Sequence, residues 1–275
     1  KVRPRRYSKI REYSRHIWEN NFKLMLRIEK LTSDYAGNEV LHNISMHVEP
    51  GEIIGLIGPN GAGKSTVLRS IFQLINIKKG QILYREVVPP SNRRSDLRIS
   101  EGGIDITRVH THDLLKLGLG FVPQGRLVFG NLTVEENLRM GGFLLNSHNA
   151  VEKNMAGVLT HFPVLKEKLA EKARNLSGGQ QQMLSIGRAL MMTPQLLLLD
   201  EPSLGLSPKV IQDLFEILKE IHAAGTTLII VEQNVHLLLK FATRLYVLAA
   251  GRVVSEGPPE QFHDPAKLRK LYFQE

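Results

Sequence analysis

The sequence contains no cysteine, so it can form neither disulfide bonds nor thiolate metal sites. A reducing compartment is compatible with this composition but is not required by it. The ten histidines show none of the spacings that are typical of metal ligands. Disulfide-stabilised folds and zinc-thiolate chemistry are therefore excluded.

Long apolar runs are missing as well. No stretch approaches the roughly 18 uninterrupted apolar residues of a membrane-spanning helix, and no apolar centre follows the basic start of the chain, as a secretory signal would need. With 42% hydrophobic and 23% charged residues, the composition is that of an ordinary globular protein. We expect a chain that is soluble by itself, with 275 residues for one sizeable domain or two small ones.

Positive charge is concentrated at one end of the chain. Residues 1–23 carry eight basic and two acidic residues, so they hold +6 of the formal net charge of +9. We interpret them as a basic N-terminal extension, either a solvated, loosely helical tail or a segment that rests on an anionic membrane surface or an acidic partner. A second polar stretch, at about 85–103, contains adjacent prolines and is predicted to be an exposed loop.

The most informative stretch reads GPNGAGKS at positions 58–65. It follows an apolar run at 53–57 and precedes a helical pattern, which is the order that a phosphate-binding loop requires. The glycines leave room for backbone amides to wrap a triphosphate. Lys64 is expected to reach the β- and γ-phosphates, and Ser65 to place its hydroxyl on Mg²⁺. The predicted nucleotide-binding residues here are Gly58, Pro59, Asn60, Gly61, Ala62, Gly63, Lys64, Ser65 and Thr66.

Two acidic residues follow four consecutive leucines at 196–199. Such a run predicts a strand that is buried on both faces, as in a parallel sheet with helices on either side. Ligands bind at the carboxyl ends of these strands. Asp200 can therefore hold Mg²⁺ through water, and Glu201 can orient or deprotonate an attacking water.

Residues 176–180 read LSGGQ and precede an amphipathic helical pattern. Ser177 is a good N-cap, and the two glycines after it allow close backbone approach. This helix end could bind a second anion. The charges of this segment alone fit a capped helix that binds no ligand equally well.

Apolar periodicity predicts the remaining elements. Tyr35 is expected in a short polar loop, and Lys79-Gly80 at the end of the unit that the phosphate-binding loop and its helix form. The segment 134–173 is predicted to be mostly helical, and 258–275 to be a partly helical tail. Strands are predicted at 24–29, 40–48, 81–84, 120–124, 226–231 and 245–249, and helices at 66–75, 114–117 and 209–223.

With these three motifs in this order, the chain from residue 24 to 275 resembles the nucleotide-binding domain of ABC ATPases. The resemblance implies an α/β P-loop NTPase fold with a mixed core sheet and flanking helices, an antiparallel β subdomain and a helical subdomain at about 130–192. It also implies ATP and Mg²⁺ as cofactors.

Several residue roles are implied by the resemblance alone. Tyr35 stands where an aromatic ring stacks on adenine, and Gln124 where a glutamine touches Mg²⁺ and the attacking water next to the contact with the membrane subunits. The LSGGQ signature is implied to bind the γ-phosphate of ATP held by an opposite subunit, in a head-to-tail dimer. Its residues are Ser177, Gly178, Gly179 and Gln180.

One position departs from the family pattern. After the strand at 226–231, where most members have a histidine, this chain reads VEQN and places Gln233 at the switch position. Glutamine can donate a hydrogen bond to a γ-phosphate but cannot carry charge or shuttle a proton. We therefore expect an altered hydrolysis rate, with Glu201 retained as the catalytic carboxylate.

The sequence at three places is similar to that of LivF-type ATPases of branched-chain and hydrophobic amino acid importers. These places are VPQGRLVF with NLTVEENL at 122–138, DEPSLGLSP at 200–208 and VEQN at 231–234. The similarity implies a peripheral location at the cytoplasmic face of the inner membrane. The implied partners are transmembrane permease subunits, a second, LivG-like ATPase and, indirectly, a periplasmic binding protein.

Other functions remain open at this point. A urea importer of the same type shares much of this wording, and a lipopolysaccharide exporter shares the class, although VEQN argues against it. A soluble ABC ATPase acting on nucleic acid or ribosomes would suit a basic chain. Most of the excess charge lies in residues 1–23, however, and no second ATPase domain or long coiled coil is present, so no nucleic acid partner is expected. The resemblance implies an ATP-binding and ATP-hydrolysing subunit that powers an importer of branched-chain or other neutral or hydrophobic amino acids; the individual cargo is not predicted, because this subunit does not touch it.

Overall fold

The structure is a computed structural model that describes residues 24–35, 37–85, 99–100 and 103–273. The predicted extension at 1–23 lies outside the described residues, as does most of the predicted loop at 85–103. In the described part of the chain, no helix combines the length and the hydrophobicity needed to cross a membrane.

The first layer is a five-stranded antiparallel sheet. Its strands are β1 (Leu26–Tyr35), β2 (Asn38–Val48), β4 (Asn76–Tyr84), β5 (Ile99–Ser100) and β6 (Gly103–Asp105), in the order β2-β1-β4-β6-β5. Leu26, Ile28 and Leu31 of β1 are buried, because alternate side chains of a strand point to the same face.

The second layer is a six-stranded mixed sheet in the order β11-β10-β3-β9-β8-β7. All neighbours pair in parallel except β10 and β11, which are antiparallel. The central strands are buried along their whole length, as their continuous apolar sequences predict. The strands are β3 (Ile53–Ile57), β7 (Leu119–Val122), β8 (Leu196–Asp200), β9 (Thr227–Val231), β10 (Arg244–Ala249) and β11 (Arg252–Gly257).

Nine α-helices lie among the described residues. The predicted α/β class, with a mixed core sheet and a separate antiparallel sheet, is confirmed. The helices are α1 (Lys64–Ile71), α2 (Thr111–Lys116), α3 (Val134–Gly141), α4 (His148–His161), α5 (Pro163–Lys166), α6 (Gly178–Leu190), α7 (Pro208–Ala223), α8 (Val235–Phe241) and α9 (Pro265–Phe273).

The segment 134–173 is mostly helical, as predicted. Its helices pack against α6 at Gly187, where a Cβ would lie 3.0 Å from Val158 and 3.2 Å from Leu138. The absence of a side chain at Gly187 therefore lets α3 and α4 approach the signature helix closely.

Three predicted boundaries around the first helix and β4 are wrong. The helix ends at Ile71 instead of residue 75, because Gln73 adopts a left-handed backbone (φ 55°) that turns the chain away. Strand β4 then begins at Asn76 and continues through Lys79 and Gly80, which were expected to end the unit. Gly80 (φ 88°) permits this because it lies opposite a bulge in β1 between Glu29 and Thr32, where a Cβ on Gly80 would clash with the carbonyl oxygens of Glu29 and Lys30.

Other differences are local. Tyr35 is the last residue of β1, opposite Asn38, and not part of a loop, because pairing continues to the turn. Strand β5 and the first residue of β6, Gly103, lie inside the stretch 85–103 that was predicted to be a loop, and these two strands pair with each other. Helix α2 begins at Thr111 instead of residue 114. The sequence pattern also missed β11, because RVVSEG has few apolar residues and only one neighbouring strand.

Candidate nucleotide-binding and hydrolysis site

The loop at 58–63 connects buried β3 to α1. Gly58 has φ 154°, and a Cβ there would clash with the carbonyl oxygen of Leu248. Gly63, the N-cap of α1, has φ 97°, and a Cβ there would lie 2.7 Å from Leu41. Both positions therefore require glycine. The first amides of α1 lack helical carbonyl partners, so they form an end that attracts anions.

Lys64 is buried at the start of α1. Its Nζ donates hydrogen bonds to the carbonyl oxygens of Gly58 (2.9 Å) and Pro59 (3.0 Å). Burial lowers the pKa of the Lys64 ammonium, while the carboxylates of Glu201 and Asp200 oppose that shift. The Lys64 ammonium therefore lies against the backbone of the phosphate-binding loop.

Ser65 and Asp200 meet across the sheet. The Ser65 hydroxyl donates to Oδ1 of Asp200 at 2.7 Å. The other carboxylate oxygen, Oδ2, is buried and has no hydrogen-bond partner among the described residues. Burial raises the pKa of Asp200, and the hydrogen bond from Ser65 opposes this.

This pair fits a magnesium ion. Mg²⁺ takes oxygen ligands, and proteins usually hold it with one or two carboxylates together with nucleotide phosphates and water. The unpartnered Oδ2 of Asp200 and the Ser65 hydroxyl provide such oxygens. No group of three or more acidic or histidine side chains that could hold a metal occurs in the described part of the chain.

Glu201 follows β8 directly, where the carboxyl ends of three parallel strands lie side by side. Its carboxylate accepts hydrogen bonds from Gln124 Nε2 (2.8 Å) and from Gln233 Nε2 (3.1 and 3.0 Å). Gln124 follows β7 and Gln233 follows β9, the two neighbours of β8. The structure therefore brings together three residues that the sequence placed in one site.

The backbone of Glu201 is unusual. It adopts φ 48°, a left-handed conformation that costs a non-glycine residue about 1–3 kcal/mol and persists only where the surroundings hold it. Its amide donates to the carbonyl oxygen of Val231 at 2.9 Å. This conformation aims the carboxylate at the two glutamine amides.

The signature helix α6 begins as predicted, with Ser177 as its N-cap. Its Oγ accepts from the Gln180 amide (3.3 Å), and the Gln180 side chain accepts from the Ser177 amide (3.0 Å). This capping box fixes the start of the helix. None of the hydrogen bonds of the described residues joins 177–180 to the loop at 58–65.

Arg126 lies against the start of the signature helix at Gly178. A Cβ on Gly178 would clash with Nη1 of Arg126. Nη2 of the same side chain donates to the carbonyl oxygens of Leu204 (2.9 Å) and Gly205 (2.6 Å). Arg126 thus connects the segment after Gln124, the signature helix and the loop after Glu201. Sequence reasoning missed this residue, although its closeness to Gln124 was a signal.

The position of Tyr35 at the end of β1 is compatible with the predicted adenine contact, which stays a prediction. The functional roles of the other residues predicted from the two motifs likewise stay predictions. These are Pro59, Asn60, Gly61, Ala62, Thr66, Gly179 and Gln180.

Comparison with known proteins gives one consistent family. The model of the ABC transporter family matches residues 41–204. The chain is 41% identical over 248 residues to the high-affinity branched-chain amino acid transport ATP-binding protein BraG of Pseudomonas aeruginosa, covering 90% of this chain and 99% of BraG. It is 35% identical to a probable branched-chain amino acid transport ATP-binding protein, LivF, of Archaeoglobus fulgidus, covering 90% and 98% of the two chains.

A solved structure supports the same conclusion. The ADP conformation of an ATP-binding cassette of an ABC transporter superposes with a TM-score of 0.77 at 26% identity, covering 92% of this chain and 99% of the other.

Proposed function

The chain belongs to the ABC transporter family of ATP-binding proteins, and on that premise we propose that it powers an importer of branched-chain or other hydrophobic amino acids. It is an ATP-binding and ATP-hydrolysing subunit. The proposed cargo rests on the similarity to BraG and LivF, which are 41% and 35% identical to this chain over nearly their full lengths. Their names state branched-chain amino acid transport. We place the subunit at the cytoplasmic face of the membrane.

ATP binds where the backbone amides at 58–63 and the start of α1 surround its phosphates, and Lys64 moves from the carbonyl oxygens of Gly58 and Pro59 to the β- and γ-phosphates. Ser65, Asp200 and Gln124 would hold Mg²⁺, which supplies positive charge that neutralises the phosphate oxygens. Tyr35 stacks on the adenine ring.

Hydrolysis depends on Glu201. Its carboxylate accepts the proton of the attacking water while the water oxygen bonds to the γ-phosphorus and the bond to ADP breaks. Gln124 and Gln233 donate to this carboxylate, and their amides cannot accept the proton at neutral pH. They therefore orient the base without replacing it.

Turnover requires a second ATPase subunit. Residues Ser177, Gly178 and Gly179 at the capped start of α6 close on the γ-phosphate of ATP bound to the partner, which we propose is a different, LivG-like chain in a head-to-tail dimer. Because these contacts exist only with triphosphate, binding closes the dimer and hydrolysis reopens it.

An exposed apolar surface beside Gln124 supports the contact with the permease. We group in it Leu127 and Phe129, which follow Gln124, with Met140 and Phe143 at and just after the end of α3, because all four side chains are exposed and Asn137 of α3 hydrogen-bonds to the Phe129 backbone (2.9 and 3.0 Å). Arg188 of α6 lies beneath it, with its guanidinium 4.4 Å from the Phe129 ring centroid and its Nη1 donating to the Leu127 carbonyl oxygen (2.7 Å). Movement of the signature helix therefore reaches this surface directly.

Purification from native membranes with the full-length chain as bait, followed by mass spectrometry, tests this proposal. We expect two permeases, a second ATPase and, through them, an amino acid-binding protein. A binding protein for urea would correct the cargo alone. Ribosomal or nucleic-acid-bound partners without a permease would contradict the transport function.

A further inference from the structure

Glu232 is a buried carboxylate that the mechanism above does not use. It follows β9, immediately precedes Gln233 and is only 2% exposed. A buried carboxylate is costly unless hydrogen bonds satisfy it. Its hydrogen-bond donors among the described residues are neutral groups, namely the backbone amide and hydroxyl of Ser203 and the backbone amide of Gln233.

Both carboxylate oxygens of Glu232 bind the same residue. Oε1 accepts from the Ser203 amide at 2.9 Å and Oε2 from the Ser203 hydroxyl at 2.8 Å. Ser203 is itself buried and follows Glu201 by two positions, with Pro202 between them. Proline has a fixed φ, so a constraint on Ser203 is passed to Glu201.

The strand end 231–233 thus holds the segment 201–203 at three successive points. The backbone amide of Glu201 donates to the carbonyl oxygen of Val231, and the Glu232 carboxylate accepts from Ser203. The side-chain amide of Gln233 donates to the Glu201 carboxylate. These contacts form a closed ring around the left-handed backbone of Glu201 (φ 48°). Such a conformation needs surroundings that fix it.

We infer that Glu232 is a positioning residue for ATP hydrolysis: by holding Ser203, it keeps Glu201 in its left-handed conformation and its carboxylate within reach of Gln124 and Gln233. It acts through Glu201 and does not touch ATP. Arg126 holds the same loop from the other side at Leu204 and Gly205, so the loop is anchored at both ends. The inference rests on the proposed hydrolytic role of Glu201, but not on the cargo.

Comparison of Glu232→Ala with Glu232→Gln tests the inference. Alanine removes both acceptors. Glutamine keeps a carbonyl oxygen that can accept from the Ser203 backbone amide. Its NH₂ group can donate to the Ser203 hydroxyl, which would then accept a hydrogen bond instead of donating one. We expect Glu232→Ala to lower kcat for ATP about ten- to a hundredfold, because a displacement of about 1 Å at a catalytic group costs on the order of a hundredfold.

The distribution of the effect separates positioning from a general loss of structure. KM for ATP and ATP binding should change less than about twofold in Glu232→Ala, and Glu232→Gln should recover most of kcat. Ser203→Ala, which retains the backbone donor, should give a smaller loss, and adding it to Glu232→Ala should cost nothing further, because both changes break one interaction.

The measurements use the full-length chain in the complex that it forms, and the chain alone, with circular dichroism to check folding. Amide hydrogen exchange provides a second measurement: exchange at Ser203 should accelerate in Glu232→Ala while β8 stays protected. An unchanged kcat in Glu232→Ala, a loss confined to KM, or equal impairment in Glu232→Gln would overturn the inference. A wrong cargo would change uptake but not these ratios, so the two failures are distinguishable.

Discussion

Glu201 shows how a single residue can combine chemistry and strain. Its carboxylate receives three contacts from two glutamine amides, and its backbone is left-handed. A strained residue that is fixed by its neighbours is typical of functional sites. The site therefore depends on the residues around Glu201 as much as on the carboxylate itself.

The first residue-scale prediction concerns Gln233. Replacing it with leucine, which has similar size but no donor, should lower ATP hydrolysis about tenfold or more, because a hydrogen bond to a charged group contributes about 1.5–3 kcal/mol. Gln233→His restores a donor and adds a group that can carry charge, so it should hydrolyse ATP faster than Gln233→Leu. Steady-state phosphate release measures both rates, and equal rates for parent and both variants would show that position 233 does not limit turnover.

The sequence predicted the strands, loops and helix caps that are marked by a local run of apolar residues or by a short motif. The buried strands β3, β8 and β9, the phosphate-binding loop and the N-cap of α6 all carry continuous apolar runs or defined motifs. The early end of α1, the bulge opposite Gly80 and the edge strand β11 depend on partners elsewhere in the chain, so periodicity could not locate them.

The same reason explains which site residues were missed. Arg126 hydrogen-bonds to carbonyl oxygens 78 and 79 positions away, and Glu232 to a serine 29 positions away. Neither contact leaves a local sequence pattern. By contrast, Gln124, Glu201 and Gln233 each follow a predicted strand, and parallel strands that are neighbours bring their carboxyl ends together.

An element-scale prediction follows for the start of α6. Gly178→Ala places a Cβ where Nη1 of Arg126 lies and should push the guanidinium from Leu204 and Gly205. Hydrolysis should fall about tenfold, since catalytic groups are sensitive to small displacements. Stability should change by less than about 1 kcal/mol, because alanine favours a helix.

The control for this prediction is Arg126→Ala, which removes the obstacle. In that background, Gly178→Ala should lower kcat by less than it does in the parent, because the part of its effect that comes through Arg126 is already lost; the remaining loss reports the proposed contact of Gly178 with the partner's γ-phosphate. Additive losses in a double-mutant cycle of kcat, with melting temperatures recorded alongside, would mean that Gly178 is required for a reason other than Arg126.

At the scale of the whole molecule, two functional surfaces lie on one rigid helix. Its capped start, Ser177, is proposed to meet the partner's ATP, and further along Arg188 supports the exposed apolar surface at Leu127 and Phe129. In the function proposed above, this arrangement transmits closure of the ATPase dimer to the permease.

The apolar surface gives a whole-molecule prediction with a matched control. Phe143 and Phe273 are both 62% exposed, but only Phe143 belongs to this surface. Phe143→Asp should lower permease recovery at least about tenfold, which corresponds to roughly 1.4 kcal/mol, while ATP binding stays unchanged. Phe273→Asp should leave recovery unaffected. Quantitative mass spectrometry of the purified complexes measures this, and equal recovery from both variants would place the permease contact elsewhere.

Uptake of labelled leucine into vesicles that contain the reconstituted transporter, its binding protein and ATP shows whether ATP hydrolysis at Glu201 drives amino acid import. The parent should accumulate leucine, and Glu201→Gln, which still accepts hydrogen bonds but is a poor base, should lose uptake and hydrolysis together by a hundredfold or more, on the order expected for a general base. Glu216→Gln, a change at an exposed glutamate of α7, should behave like the parent. Uptake by Glu201→Gln at the parental rate, or no leucine uptake by a parent complex that hydrolyses ATP, would contradict this account.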